Sequence, residues 1–243
     1  MENVVGRLLK GLGISVLFMI IGYAGIMFMV HRFRSSGKER DKLREQRTEI
    51  MAEQKSRDPE GKIVITDDLL DVEYKLYYSE ETDRHTFISL MLYGATAVIV
   101  FVCALSLIFT IVKRNASVPR IIAAALPMIL TVVVMVFIDS RSYRKLPPKP
   151  EKVTCHVETV TITKKNSKTT TDRDENGNAT GTTTSYLIYF ADREGKERSF
   201  SVGKSVYNKI KVKDACYMAC AEAKGKEIYY CYYDEGSFVP ETK

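Results

Sequence analysis

Residues 86–112 read TFISLMLYGATAVIVFVCALSLIFTIV, and this stretch decides the fold. Its twenty-seven residues carry no charge, whereas a helix rising about 1.5 Å per residue needs only about twenty residues to cross a hydrocarbon core of about 30 Å. Two more uncharged runs, residues 11–30 and 121–138, are long enough as well. The rest of the chain has too little apolar sequence to enclose three such helices. The sequence therefore predicts an α+β membrane protein with three transmembrane helices.

The first run follows Arg7 and Lys10 and must be compared with a cleaved signal peptide. It is longer than the usual apolar region of about 7 to 15 residues, and it ends in Phe28-Met29-Val30-His31 instead of a small-x-small cleavage site. We therefore expect residues 1–35 to be a membrane anchor and residues 86–146 to be a transmembrane helical hairpin. None of the three runs contains an ionisable Asp, Glu, Lys, Arg or His, which argues against proton relay or ion pumping by this chain alone.

Lysine and arginine residues near the ends of the spans predict the orientation. Seven of them follow the first span within residues 32–47, and five follow the third span within residues 141–152. This bias predicts a multi-pass protein of the cell membrane with its C-terminal domain in the cytoplasm. The short loop between the second and third spans, residues 113–120, is itself basic and favours the opposite orientation.

The loop between the first two spans, residues 36–85, begins with charged sequence. Ser36 and Glu39 have the spacing of a capping box, which predicts a helix that ends at Asp58-Pro59-Glu60-Gly61. The apolar residues of this helix are too few for a coiled coil: Leu43, Ile50 and Met51. The pattern therefore predicts a solvated helical stalk.

The second part of this loop has the pattern of β-strands. Residues 63–66 are a short β-branched run, and Val72, Tyr74, Leu76 and Tyr78 alternate with more polar residues. Two strands as short as these are not stable alone. We therefore expect residues 63–78 to dock on the C-terminal domain.

The C-terminal domain, residues 147–243, begins after a proline-rich linker and is predicted to be soluble and β-rich. Its clearest turn signal is Asn176-Gly177, which as a type I′ turn sets Thr169–Thr171 against Thr182–Thr184 in a long hairpin. A shift in the apolar alternation of the first strand predicts a bulge near Glu158 or Thr159.

Two further hairpins and one helical turn complete the predicted domain. The hairpins turn at Glu194-Gly195 and Lys224-Gly225, and between them Ser205 is expected to cap a helical turn that runs through Ile210 and ends at residues 212–214. Six short strands with one brief helix predict a small β-barrel or sandwich.

Residues 200–219, FSVGKSVYNKIKVKDACYMA, and the tyrosine-rich strand at residues 228–233 carry a resemblance. They look like the second half of small β-barrel domains attached to transmembrane helices in bacterial proteins of unknown function. The likeness covers about a quarter of the chain. It implies a small barrel near a membrane and transfers no catalytic residue.

Several motifs imitate chemical sites without completing them. Gly203-Lys204-Ser205 resembles the end of a P-loop, but Arg198 stands where the first glycine belongs. Asp172, Asp174 and Asn176 resemble the first half of a calcium loop, but the twelfth position is Thr183 where a glutamate is needed.

The cysteines and the charge of the C-terminal domain are equally uninformative about chemistry. Four cysteines on strand-like segments predict reduced, mostly buried thiols, with a zinc site as the alternative: Cys155, Cys216, Cys220 and Cys231. From Glu151 onward, fifteen lysines and arginines face fourteen acids, so the domain lacks the positive charge that nucleic-acid binding requires. We predict no catalytic, cofactor-binding or metal-binding residue and no cofactor.

The sequence as a whole predicts a non-enzymatic membrane protein. It is expected to contact the lipid bilayer and to present a cytoplasmic β-domain to a membrane or cytoplasmic protein partner, without binding nucleic acid. The alternative is an outward-facing envelope protein that binds calcium or another ligand.

Overall fold

The structure is a computed structural model, and it describes most of the residues that follow residue 34. The described residues are 23, 27, 30–31, 35–58, 61–112, 118–174 and 178–241. The predicted first span, residues 11–30, lies outside them except for residues 23, 27 and 30, which are helical. The chain divides into two compact units: one comprises Met1–Asp41 with Tyr78–Pro147, and the other comprises Lys42–Tyr77 with Pro148–Lys243.

Three long helices are present among the described residues. Helix α1 covers residues 35–57, α2 covers Asp67–Val112 and α3 covers Val118–Tyr143. Two segments are long and apolar enough to cross a membrane, Asp67–Ser106 and Ala125–Tyr143. In their most apolar windows only 11% and 6% of the residues are buried, whereas the core helix of a soluble protein is mostly buried. Among the described residues the structure therefore gives two candidate spans, and the first of the three predicted spans lies almost wholly outside them.

Residues 72–78 were predicted to form a strand, but in the structure they are helical and belong to the first half of α2. Thr66 precedes the helix, and its hydroxyl accepts a hydrogen bond from the backbone N–H of Leu69 at 3.3 Å. Asp67 and Asp68 occupy the first turn, where acids stabilise a helix. The alternation of Val72, Tyr74 and Leu76 was misleading because the helix is buried on more than one side.

Helix α1 is packed and is not the solvated stalk that the sequence predicted. Its half-buried positions recur about every 3.5 residues: Ser36, Arg40, Leu43, Arg47, Ile50 and Gln54. In the second unit the side chain of Gln54 brackets Val64, accepting its N–H at 2.7 Å and donating to its carbonyl oxygen at 3.0 Å. Hydropathy missed this face because polar side chains occupy four of these six positions.

The second unit contains an open antiparallel sheet of five strands. The strands are β2 Thr154–Arg173, β3 Ala179–Ala191, β4 Glu197–Val202, β5 Ala215–Ala223 and β6 Lys226–Asp234, in the order β4-β3-β2-β5-β6. The outer strands β4 and β6 are not paired with each other, so the sheet does not close into the predicted barrel. Nor do the described residues form a second large sheet that would make a sandwich.

A small parallel pair of strands confirms the predicted docking of residues 63–78. Strand β1, Ile63–Ile65, pairs with the C-terminal strand β7, Phe238–Pro240. Leu69, Leu70 and Tyr74 of α2 then pack in the same buried cluster as Ala219 and Tyr233 of the sheet. The segment docks through a strand and a helix, where two strands were predicted.

The sheet carries a buried cluster on each face, and this explains the phase shift in β2. Cys155 and Val157 pack against the first cluster, on the face toward α2, while Val160 and Ile162 belong to the second cluster on the opposite face. The register with β5 runs without interruption from Thr154 to Thr161. The predicted bulge at Glu158 or Thr159 is therefore wrong, and the register shift comes only after Ile162.

The short helix of the second unit lies where the sequence predicted it but has a different cap. Helix α4 covers Lys204–Lys209 and follows Gly203 as its N-cap, without a side-chain cap from Ser205. Its C-terminal end is held by Lys165, whose ammonium donates to the carbonyl oxygens of Tyr207 and Ile210. Val206 and Tyr207 pack on the second cluster.

Candidate functional site

The most distinctive surface of the second unit is a two-stranded ribbon that extends beyond the rest of the sheet. We call it the arm and define it as residues 164–173 of β2 and 179–185 of β3. Strand β5 pairs with β2 only up to Thr161, and β4 pairs with β3 only from Tyr186 onward. Within the described residues, β2 therefore pairs along the arm with β3 alone, and residues 179–185 of β3 pair with β2 alone.

The register of the arm is the one predicted from the sequence. Thr169 lies opposite Thr184, Thr170 opposite Thr183 and Thr171 opposite Thr182. The hydroxyl oxygens of Thr169 and Thr184 are 3.2 Å apart, within hydrogen-bond distance. The Asn176-Gly177 turn that motivated the prediction lies outside the described residues.

The arm has no core of its own. Residues 166–171 and 178–183 are exposed, and Ala179 is the only apolar residue between positions 166 and 184. A two-stranded hairpin without an apolar face is at best marginally stable in water. Each of its strands also presents an outer row of backbone N–H and C=O groups, to which another strand can be added. The arm is therefore an exposed ribbon and not a packing element of the second unit.

Near the tip of the arm, the described residues Asp174 and Asn178 bond to each other. Both carboxylate oxygens of Asp174 accept hydrogen bonds from Asn178, at 2.7 Å from its backbone N–H and at 3.2 Å from its side-chain amide. This carboxylate therefore closes the tip of the hairpin. Among the described residues, no group of three or more His, Cys, Asp or Glu side chains is placed to hold a metal ion.

A buried carboxylate, Glu158, lies on the face of the sheet that carries the second cluster. Its oxygens accept hydrogen bonds from the phenol of Tyr229 at 2.9 Å and from the guanidinium of Arg193 at 2.7 Å, and the ring nitrogen Nε2 of His156 is 3.2 Å away. Burial raises the pKa of Tyr229, and the bond to Glu158 raises it further. Because the carboxylate is paired with partners from β2, β6 and the β3–β4 turn, this network ties the turn to the sheet.

The first unit has a polar cluster of its own between α2 and α3. Asp139, which directly follows the uncharged run in α3, accepts hydrogen bonds from Ser89 at 2.5 Å and from Tyr93 at 3.0 Å. The ring nitrogen Nε2 of His85 lies 3.9 Å from the same carboxylate. His85, Ser89 and Tyr93 are four residues apart and so share one face of α2. The cluster pairs the two helices.

Sequence reasoning missed both carboxylates as organising residues. Asp139 was signalled by its position at the end of an uncharged run and by the four-residue spacing of polar residues in α2. Glu158 had no such signal, because two of its three partners, Arg193 and Tyr229, lie in distant segments of the chain. The sequence Gly203-Lys204-Ser205, which resembles the end of a P-loop, lies at the start of a helix of only six residues, Lys204–Lys209.

The cysteines of the second unit are free thiols on both faces of the sheet. Burial raises the pKa of Cys216, Cys220 and Cys231 to about 12 in each case, helped by the nearby carboxylates of Asp214, Glu158 and Glu73 respectively. Burial also raises the pKa of Cys155. These thiols are poor nucleophiles at neutral pH, since the thiolate is the reactive form.

Four tyrosines of β6 are packed into the two clusters. Tyr230 and Tyr233 are buried in the first cluster, and Tyr229 and Tyr232 pack against the second. A register shift in β6, with Ala219 opposite Cys231 and Cys220 opposite Tyr229, leaves Tyr230 as an extra residue. The tyrosines serve packing, and they leave no row of exposed rings.

Comparisons with family models, with curated proteins and with solved structures found no match. The resemblance of residues 200–219 to small β-barrel domains of bacterial membrane proteins therefore stays a prediction.

Proposed function

We propose that this chain is a multi-pass membrane protein that presents its β-rich unit to a protein partner, with the arm as the binding surface. The observation that carries the proposal is the arm, a ribbon without a core in which, among the described residues, β2 and β3 pair with no third strand. Such an element contributes little to the stability of its own unit. The function that we assign to the arm is to bind a partner by adding a strand of that partner to one of its edges. We assign no catalytic role.

The proposed membrane anchoring rests on apolar surface that the chain itself does not cover. Phe137 of α3 is 64% exposed and Val98 of α2 is 63% exposed, and many other large apolar side chains of the two helices resemble them. Soluble monomers rarely expose continuous apolar surface on this scale. A bilayer would bury this surface, while the helical backbone satisfies its own hydrogen bonds.

The proposed orientation places the arm in the cytoplasm, and engineered thiols test it. The native thiols are unsuitable reporters, because burial would protect them on either side of the membrane. Thr182→Cys on the exposed arm and Ala116→Cys in the loop between α2 and α3 are better reporters. In intact cells, a maleimide that cannot cross membranes should label Ala116→Cys and leave Thr182→Cys unlabelled.

The opposite labelling pattern would refute the cytoplasmic orientation. It would favour the alternative function, an outward-facing envelope protein that binds calcium or another ligand. Titration with calcium would then decide between the two: a change in the protection of the Thr182→Cys thiol at millimolar calcium supports a weak extracellular-type site at the tip. Labelling of both reporters, or release of the protein from membranes by alkaline carbonate, would refute the anchoring itself.

A further inference from the structure

A cleft opens on the second unit between helix α4 and the turn that follows β6. Its volume is about 450 Å³. The apolar and aromatic part of its lining consists of Val206, Ile210, Ala215 and Tyr232. Ile210 is buried, and the other three residues are half-buried. The cleft is therefore a surface depression whose apolar lining stays partly in contact with water.

The same cleft is lined by more acids than bases. Among the described residues that line it, Asp214, Asp234 and Glu235 carry carboxylates and Lys209 carries an ammonium. Asp214 and Asp234 each accept a hydrogen bond from a backbone N–H, at 2.7 and 2.8 Å. Lys62 donates to the carbonyl oxygen of Glu235 at 2.6 Å, and not to its carboxylate. The lining therefore has an excess of negative charge that no ion pair within the described residues neutralises.

Two groups at the cleft respond to this negative charge. Burial raises the pKa of Tyr232 most, and Cys216, Asp234 and Asp214 raise it further. Burial also raises the pKa of Cys216, which follows Ala215 in β5, and the carboxylates of Asp214 and Glu235 raise it further. The fields of the three carboxylates therefore overlap within the cleft.

The chemistry of the lining favours an extended organic cation. Among the described residues, no group of three or more His, Cys, Asp or Glu side chains is placed to hold a metal ion, so these acids do not converge on one point. A guanidinium pairs with carboxylates through several N–H groups and stacks on aromatic rings, while its methylene stem covers apolar side chains. A lysine ammonium matches the charge but is a strongly hydrated point charge without the planar fork. We propose that this cleft binds an arginine side chain of a partner protein, with the guanidinium between the ring of Tyr232 and the carboxylates.

The shape of the cleft favours a protein partner over a small molecule. Small-molecule sites enclose about 70–90% of the surface of their ligand. Here Ile210 is the only buried residue of the lining, and Lys209 and Glu235 are exposed. A side chain that belongs to a partner protein is covered on its outer side by the rest of that partner. An open depression is therefore sufficient for it.

This inference goes beyond the proposed function, because the cleft and the arm share no residue. The binding test below is made with the full chain in detergent, so it reports neither membrane anchoring nor orientation. The cleft can therefore fail to bind while the proposed anchoring stands, and the reverse holds as well.

Protection of an engineered thiol tests the proposal. Ser237→Cys places a thiol in the lining, at an exposed position whose side chain forms no hydrogen bond among the described residues. For a contact with a Kd of about 1 mM, the blocked tripeptide acetyl-Gly-Arg-Gly-amide at about 10 mM should slow maleimide labelling of this thiol about 10-fold. Thr182→Cys on the arm is the control, and its labelling rate should not change. The same tripeptide with citrulline, which has the shape of arginine without its charge, should protect neither thiol.

Charge variants of the lining test the electrostatic part in both directions. Glu235→Gln removes one carboxylate and should weaken binding of the arginine tripeptide about 3-fold, whereas Lys209→Gln removes the opposing cation and should strengthen it about 3-fold. Glu222→Gln is the matched control for Glu235→Gln, because Glu222 is an exposed glutamate at the opposite end of β5 from the cleft, and it should leave binding unchanged. Continued protection of the buried thiols of Cys216 and Cys220 shows that each variant is folded.

Four outcomes would overturn the proposal. The first is no protection of Ser237→Cys by the arginine tripeptide. The second is equal protection by the citrulline tripeptide, which would remove the role of charge. The third is weaker binding in Lys209→Gln, which would indicate an anionic ligand. The fourth is free arginine that protects as well as the tripeptide, which would make the ligand a small molecule and not a partner protein.

Discussion

The ion pair between Arg47 of α1 and Glu73 of α2 tests whether α1 belongs to the fold of the second unit. The Nε of Arg47 lies 2.5 Å from the carboxylate of Glu73. The two side chains differ in exposure, 40% for Arg47 and 8% for Glu73. Burial lowers the pKa of Arg47, but the charge of Glu73 and its hydrogen bond raise it by more. Replacing each residue separately should therefore have unequal costs.

Arg47→Leu should be the more damaging change. It leaves the Glu73 carboxylate inside the unit without its guanidinium, and the loss of one partner from a fully buried pair costs about 3–5 kcal/mol. Because Arg47 itself is partly in water, we expect about 2–3 kcal/mol. Glu73→Leu leaves an arginine that can turn into water, and we expect about 1 kcal/mol or less. The double leucine variant should recover most of the loss of Arg47→Leu.

Thiol exposure provides the assay for these variants. Urea unfolding of the full chain in detergent is followed by pulsed maleimide labelling of the buried thiols of Cys216 and Cys220, which become reactive only when the second unit opens. The midpoint should fall most for Arg47→Leu and least for Glu73→Leu. Equal midpoints for all variants would show that α1 is a separate stalk, and a larger loss for Glu73→Leu would refute the reasoning from exposure.

Three further predictions follow from contacts within the second unit. Tyr74→Phe removes the hydrogen bond that the phenol donates to the carbonyl oxygen of Pro148 at 2.8 Å, and should lower the free energy of unfolding by about 1 kcal/mol in the same urea assay. Cys216 and Cys220, with pKa values of about 12, should resist alkylation at pH 8 in the folded protein, and rapid labelling without urea would contradict their burial. Burial alone would raise the pKa of Asp192, but hydrogen bonds from the β3–β4 turn lower it below its ordinary value. Its contribution to stability should therefore be present above about pH 4 and be lost as the pH falls further, and Asp192→Asn should reduce this acid sensitivity in unfolding curves measured between pH 5 and pH 2.

The parts of the fold that the sequence predicted are those encoded by local chemistry. The register of the arm followed from one turn signal and from the symmetric placement of Thr169–Thr171 and Thr182–Thr184. The uncharged run at residues 86–112 gave a helix long enough to cross a membrane. In both cases the information lies within a few neighbouring residues, so no distant partner needs to be known.

The parts that were missed depend on partners far along the chain. Arg47 looked like a solvated residue because its partner Glu73 is twenty-six positions away. Glu158 is held by Tyr229, which lies seventy-one positions later. A polar residue on a buried face is indistinguishable from an exposed one until its partner is located. The partners of Arg47 and Glu158 could therefore not be found from periodicity.

The misplaced bulge in β2 shows how one strand can serve two cores. Apolar residues change phase between Val157 and Val160, and in a half-exposed sheet such a change requires an inserted residue. Here the first cluster covers one face of β2 and the second cluster covers the other face farther along. The strand therefore keeps its register with β5 while its apolar side switches. Beyond Ile162 neither cluster follows, and the same strand, now without apolar residues, continues as the arm. The change from a packed strand to an exposed ribbon therefore follows from the change in amino-acid composition along β2.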